Sequence, residues 1–379
     1  MTSFIPPQFL RGIEKSIIRQ ISDRAPAGSI SLGLGEPDLP TADVIRRAAV
    51  RIIEQEQNGY TLQAGLPALR ELVARDYPQL DLSAEEVIIT AGSQEGLYLS
   101  LMTLVEQGDE VAMPDPGFVA YPTIVQMAGG KSVYYRLPAN KDFGFDLEEF
   151  RSSLSEKTKV VICTSPSNPT GRAFSATELS AMARAIHEKS PHAFVVSDEI
   201  YRELYYTDER PPSISEFFPR TIVISGLSKS MSMTGWRLGW ICGDADVIKA
   251  ALVLHGYVTT CASTISQKAA LASWTTEGEE ARSNTRRIFA ERRAHLLGLF
   301  SENLKLKAVA PDGAFYTMLD VRSHGSSMQV AEQFLANRVV TIPGSAFGNE
   351  GEGFLRVSFC AELPVLTEGV ARMKAALNK

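Results

Sequence analysis

From about residue 84 onward, short apolar runs rich in Val and Ile alternate along the chain with longer stretches of helical period. That alternation predicts a mainly parallel α/β sheet, since parallel neighbours need a crossover between them. Six strands are readable: EVIIT (86–90), EVAMP (110–114), SVYYRL (132–137), VVICT (160–164), FVVSD (194–198) and TIVIS (221–225). Between the fourth and the fifth, Ser175 and Glu178 form a capping-box pair, and Leu179, Met182, Ala183 and Ile186 follow at the spacing of one helix face. A crossover helix is predicted there. From about residue 275 the pattern changes: a long charged helix (285–300) precedes the strand-like GAFYTML, VVTIP and FLRVSF and a final helix. The expected division is an N-terminal segment (1–45) joining a small lobe, a large domain (46–274) and a C-terminal small domain (275–379).

Composition narrows the classes. The 379 residues exceed the roughly 100–200 of a usual single domain, and 44% apolar with 22% charged residues is ordinary for a globular chain. A net charge of −6 leaves no global positive field for nucleic acid or an anionic membrane. Cys163, Cys242, Cys261 and Cys360 lie far apart without a CxxC pair, so free thiols in a reducing compartment are expected. The N-terminus lacks the basic start, apolar core and cleavage-like end of a secretory signal, and no run reaches the ~18 apolar residues of a membrane span. A cytoplasmic protein is expected. The five histidines are scattered, with no HExxH, GxSxG or Walker A string, and no metal is expected.

In open α/β sheets, ligands bind at the carboxyl ends of the strands. Five strands carry a useful group there: Ser93 and Gln94 after the first, Phe118 after the second, Asn168 after the fourth, Asp198 ending the fifth and Lys229 after the sixth. Lys229 lies in SGLSKSMSMTGWRLG (225–239), with Arg237 eight residues on. Burial and nearby cations favour the neutral amine that a Schiff base requires. Alone, a lysine in a Gly/Ser-rich loop reads as a surface residue; its companions reverse that. Asp198 closes a near-continuous apolar run, where a carboxylate is costly without a cation or strong donor. A pyridinium nitrogen is such a cation, although strand-end aspartates also bind metals and cap helices. In TAGSQEGLYLSL (90–101) a glycine turn opens a helix, so the N–H groups of Ser93 and Gln94 face any phosphate placed there. SPSNPTG (165–171) holds Asn168 in a proline-fixed turn.

These strings, with GEPDLPTADVIRRAA near 35, NGYTLQAGLPALRE near 60 and PDGAFY near 313, resemble the blocks of fold-type I pyridoxal 5′-phosphate (PLP) enzymes, specifically the class I/II aminotransferases of the aspartate aminotransferase superfamily. Their order matches over nearly the whole chain, with 30 residues from Asn168 to Asp198 and 31 from Asp198 to Lys229. The resemblance implies a large domain with a mainly parallel seven-stranded sheet flanked by helices, plus a smaller α+β domain. It implies that Lys229 forms the Schiff base with the cofactor and Asp198 partners the pyridine nitrogen. Asn168 and Tyr201 contact the 3-oxygen, Phe118 stacks on the ring, and Ser93, Gln94, Ser228 and Arg237 hold the phosphate. Tyr60 matches the tyrosine that reaches the partner subunit's phosphate, which implies a homodimer with shared active sites. Arg356, in FLRVSF, matches the arginine that grips the substrate α-carboxylate, a bidentate geometry. Gly35 lets that carboxylate approach the backbone. The chain departs from the family at Gly226, three before the lysine, where a hydroxyl residue is common; the roles of Ser225 and Ser228 stay open.

The reaction implied is transfer of an α-amino group from an L-amino acid to a 2-oxo acid such as 2-oxoglutarate. Because the cofactor supplies the electron sink, a β-lyase or other amino-acid enzyme on the same residues is the enzymatic alternative. A PLP-sensing regulator domain is the alternative of another class; it needs a basic DNA-binding module, and only about 30 residues precede the first matching block. The amino donor and the acceptor are not legible.

Overall fold

The computed structural model describes residues 4–56 and 58–378. In chain order the strands are β1 (Ile30–Ser31), β2 (Val87–Thr90), β3 (Glu110–Asp115), β4 (Lys131–Arg136), β5 (Thr158–Thr164), β6 (Phe194–Asp198), β7 (Thr221–Gly226), β8 (Gly239–Cys242), β9 (Tyr316–Asp320), β10 (Val339–Val340), β11 (Ile342–Pro343) and β12 (Phe354–Ser358). β2 to β8 form one seven-stranded sheet in the order β2-β8-β7-β6-β5-β3-β4. Every pairing in it is parallel except those of β8, which runs antiparallel to both β2 and β7. All six readable runs are strands of this sheet. The seventh, GWIC in β8, is only four residues long and opens on a glycine, too little for a pattern.

The central strands are apolar at consecutive positions because both faces of the sheet are covered. Val160 and Ile162 of β5 pack on one side with Ile222 and Ile224, under Leu97 and Leu101 of the helix Ser93–Leu104 and Val247 and Ile248 of the helix Ala245–Val258. Val161 and Cys163, one position along, point to the other side, where Leu179, Met182 and Ile186 of the helix Ala176–Lys189 meet them. That helix starts as expected: Ser175 Oγ accepts the Glu178 N–H at 3.3 Å, and Glu178 accepts the Ser175 N–H at 2.7 Å.

The C-terminal third contains the three-stranded antiparallel sheet β11-β12-β9. Its long helix, Thr276–Leu299, begins nine residues before the predicted pattern, because its first turns are polar and capped by Thr275. β1 pairs in parallel with β10, Ile30 opposite Val339 and Ser31 opposite Val340, and Leu32 packs into the same core as Phe289, Leu366 and Met373. The helix Ile17–Asp23 sets Ile21 against Leu335 and Val340. All four cysteines are unpaired; Cys163 and Cys242 are buried, whereas Cys261 and Cys360 are only half-buried. No helix among the described residues is long and apolar enough to cross a membrane.

Candidate active site

The carboxyl ends of β5, β6 and β7 open into a cavity of about 360 Å³. Asp198, the last residue of β6, sits in register with Thr164 at the end of β5. Its buried carboxylate accepts the Tyr121 hydroxyl at 2.9 Å and the Ile200 N–H at 3.3 Å. Among the described residues no Lys, Arg or His side chain pairs with it, and burial pushes its pKa above the usual carboxylate range while these two bonds oppose the rise. Lys229, three residues beyond β7, is half-buried, and its Nζ donates to the Gly35 carbonyl at 2.8 Å. Burial takes the ammonium out of water and lowers its pKa from 10.5 to about 8.

Gly92 (φ 88°) turns the chain into the helix Ser93–Leu104, and the first two N–H groups of that helix, Ser93 and Gln94, have no partner within the described residues. Arg237 lies over this turn in a left-handed backbone conformation (φ 50°), donating to the carbonyls of Thr234 at 2.9 Å and Ala91 at 3.3 Å. Gly92 is required here by its positive φ, and a Cβ at this position would push the end of the Arg237 side chain off the turn.

On the facing wall, Arg356 projects from β12 and is 2% exposed. It donates to Asn168 Oδ1 at 2.9 Å and to the Gly33 carbonyl at 2.6 Å, and its guanidinium lies over the rings of Tyr316 and Phe347 at 4.4 and 4.7 Å. Its Nε is buried and without a partner, and no carboxylate of the described residues neutralises it; burial lowers its pKa. Tyr201 and Tyr316 share a hydroxyl–hydroxyl bond of 2.9 Å. Phe118 stands edge-on to Tyr121, ring centroids 5.5 Å apart.

The arrangement fits a flat, phosphorylated pyridine aldehyde. A partly neutral amine can bond the aldehyde, an uncompensated carboxylate can face a ring N–H⁺, and free helix N–H groups beside an arginine can take a dianion. The guanidinium of Arg356, whose Nε is unpartnered and whose charge no carboxylate of the described residues neutralises, suits a second, carboxylate-bearing ligand.

The family model "Aminotransferase class I and II" matches residues 27–371. An aspartate aminotransferase of Pyrococcus horikoshii is 35% identical over 377 residues, covering 97% of this chain and 95% of its own. Among solved structures, the aspartate aminotransferase from Thermus thermophilus with maleate superposes with a TM-score of 0.93 at 30% identity, covering 99% of this chain and 100% of the other. The aromatic aminotransferase from Pyrococcus horikoshii gives 0.89 at 32%, covering 94% and 98%.

The chain belongs to the class I and II aminotransferases.

It is a PLP-dependent enzyme that transfers the amino group of an amino acid to a 2-oxo acid. The aminotransferase brings Gly35, Ser93, Gln94, Phe118, Asn168, Asp198, Tyr201, Ser228, Lys229, Arg237 and Arg356 to one cavity. Tyr60 is not among them: it is 88% exposed on the outer surface. The neighbouring serines are sorted by geometry. Ser228 faces the cavity, while Ser225 turns away and donates to the Glu199 carbonyl at 3.2 Å. The glycine at 226 has a steric cause, since a Cβ there would lie 2.8 Å from the Leu238 carbonyl oxygen. His255 does not line the cavity and is a core residue. Sequence reasoning singled out neither Tyr121 nor Tyr316, because an aromatic in a helix or strand reads as packing. The signal available for Tyr121 was its place three residues after Phe118, in the same segment at the end of β3.

Proposed function

We propose that Lys229 carries the cofactor and serves as the acid–base group, that Asp198 holds the ring nitrogen positive, and that Arg356 captures the substrate α-carboxylate. The observation that carries this reading is the buried Asp198 carboxylate, which lacks a cation although it ends the strand beside the one leading to Lys229. When bound, PLP supplies the electron sink that makes the substrate α-proton acidic. Lys229 Nζ takes that proton and returns it. Its pKa near 8 lets the amine act in both directions close to neutral pH. Asn168 and Tyr201 would meet the ring's 3-oxygen, Phe118 would cover the ring, and Ser93, Gln94, Ser228 and Arg237 would hold the phosphate, all of them lining the same cavity. Gly35 keeps the substrate side open, since a Cβ there would meet Tyr316 Oη at 1.9 Å. Arg356 and Asn168, already bonded to each other, form a bidentate seat for the α-carboxylate.

The acceptor is a 2-oxo acid such as 2-oxoglutarate. Supporting an acidic acceptor, Arg19 lines the cavity mouth and its guanidinium has no partner among the described residues. The enzyme works as a homodimer in the cytoplasm, with Tyr60 reaching the partner's phosphate. In support, Tyr60, Leu62, Val253 and Tyr257 are all strongly exposed, and Thr61, Val253, Gly256 and Tyr257 share one surface groove. The N-terminal segment and the C-terminal third form one small lobe, a division supported by the β1–β10 pairing.

A half-reaction panel tests the whole reading: candidate amino acids are added singly to the PLP-loaded enzyme and its visible absorbance is followed. Loss with a donor, recovery with 2-oxoglutarate and no ammonia release are expected; steady ammonia release without an acceptor would identify a lyase instead.

A further inference from the structure

His255 stands on the helix Ala245–Val258 outside the cavity and is fully buried. Its Nε2 is 3.1 Å from the carbonyl oxygen of Gln63, and its Nδ1 is 2.9 Å from Glu95 Oε1. A peptide carbonyl only accepts, so Nε2 must carry a proton. The Nδ1–Oε1 contact needs a second proton between ring and carboxyl. The two side chains therefore hold two protons together, and the pair is neutral overall. Among the described residues Glu95 has no other basic partner.

The second oxygen of Glu95 accepts the Ala91 N–H at 2.5 Å, and the carbonyl of the same Ala91 accepts from Arg237. The peptides flanking Ala91 are thus gripped from both sides, immediately before the free N–H groups of Ser93 and Gln94. An uncompensated carboxylate one residue past Gln94 would repel a dianion seated on those groups.

We propose that His255 is a positioning residue for the cofactor phosphate: it neutralises Glu95 and orients it to hold Ala91, so that the turn 91–94 is shaped for a dianion without a competing negative charge. The proposal rests on the reading that this turn takes the phosphate. Neutralisation from within the core leaves the N–H groups of Ser93 and Gln94 free for the ligand, since neither is spent on Glu95.

The test compares binding of PLP and of pyridoxal, which lacks the phosphate, to the cofactor-free enzyme; the ratio of the two affinities reports on the phosphate alone. His255→Gln is expected to lower that ratio roughly tenfold or more, the size of effect that follows when a buried charge loses its partner. Glu95→Gln/His255→Gln, which removes the charge as well, is expected to regain most of it. A wild-type ratio in His255→Gln, or a double variant as impaired as the single, overturns the proposal, and so does equal weakening of both ligands, the result of a packing role alone. If His255→Gln does not fold, nitrogen NMR of the wild-type ring decides: a bare Nε2 overturns the proposal and a protonated one upholds it. Arg237→Ala separates the two levels. If that variant keeps the wild-type ratio, the phosphate reading itself fails; if it loses the ratio while His255→Gln does not, only the role of His255 falls.

Discussion

The floor and the far wall of the cavity are built in different ways. On the floor, Asp198 ends β6 and Lys229 follows β7, the parallel strand beside it, so one edge of one sheet carries both. The wall is assembled across the chain: Arg356 bonds to Gly33, 323 residues away, and Tyr316 closes over Gly35. A rigid layer suits groups that must keep a proton in line, whereas a surface made of distant segments suits reading and admitting a ligand. The floor should therefore govern kcat and the wall KM.

Four experiments can break or sharpen that contrast, the largest effect first. Lys229→Ala is expected to cut turnover roughly ten-thousandfold or more, while PLP still binds without a covalent bond. Turnover surviving in that variant, measured in the half-reaction, would end the contrast at its root. Asp198→Asn should lower kcat about a hundredfold to a thousandfold. The cofactor-free form of this variant should melt no lower than the wild type, because the substitution removes a buried carboxylate that has no cation. A lower melting temperature would show that Asp198 is structural. Arg356→Ala should reduce kcat/KM roughly a hundredfold, mostly through KM, and Arg356→Lys should restore only part of it, since an ammonium cannot form the two-point contact. A loss confined to kcat would move Arg356 from the wall to the floor.

The smallest effect is one of pH. Below about 8 the folded, cofactor-free chain must protonate a half-buried amine at Lys229, whereas an unfolded lysine stays protonated up to 10.5. Between those values the unfolded state binds more protons, so this group makes stability rise with pH across that window. The rate at which PLP is taken up covalently should climb through the same lower value, as the neutral amine becomes available. A flat rate between pH 7 and about 9 would contradict the lowered pKa.

The floor was legible in sequence and the wall much less so, for a physical reason. A strand covered on both faces is written as an unbroken apolar run, and the polar residue that ends it stands out, as Asp198 does after FVV. VVTIP reads as a strand and is β10 and β11, but the wall also depends on the two residues of β1 and on pairings across hundreds of positions that leave no local pattern. Arg356 was visible because an arginine in an apolar strand is conspicuous; Tyr316, two residues into FYTML, was not. The orientation of Ser225 away from the cavity followed from strand alternation, which fixes a side chain's face only once the neighbouring strand is known.

A strand laid against the prevailing direction offers its beginning, where all the others offer their ends. β8 is such a strand, so the twelve residues between β7 and β8 both leave from and return to the ligand edge of the sheet. The lysine and Arg237 are thereby mounted on a single loop pinned at both feet. Any change in that loop's length displaces the covalent anchor and the anion clamp together, and neither can be retuned by insertion or deletion without disturbing the other.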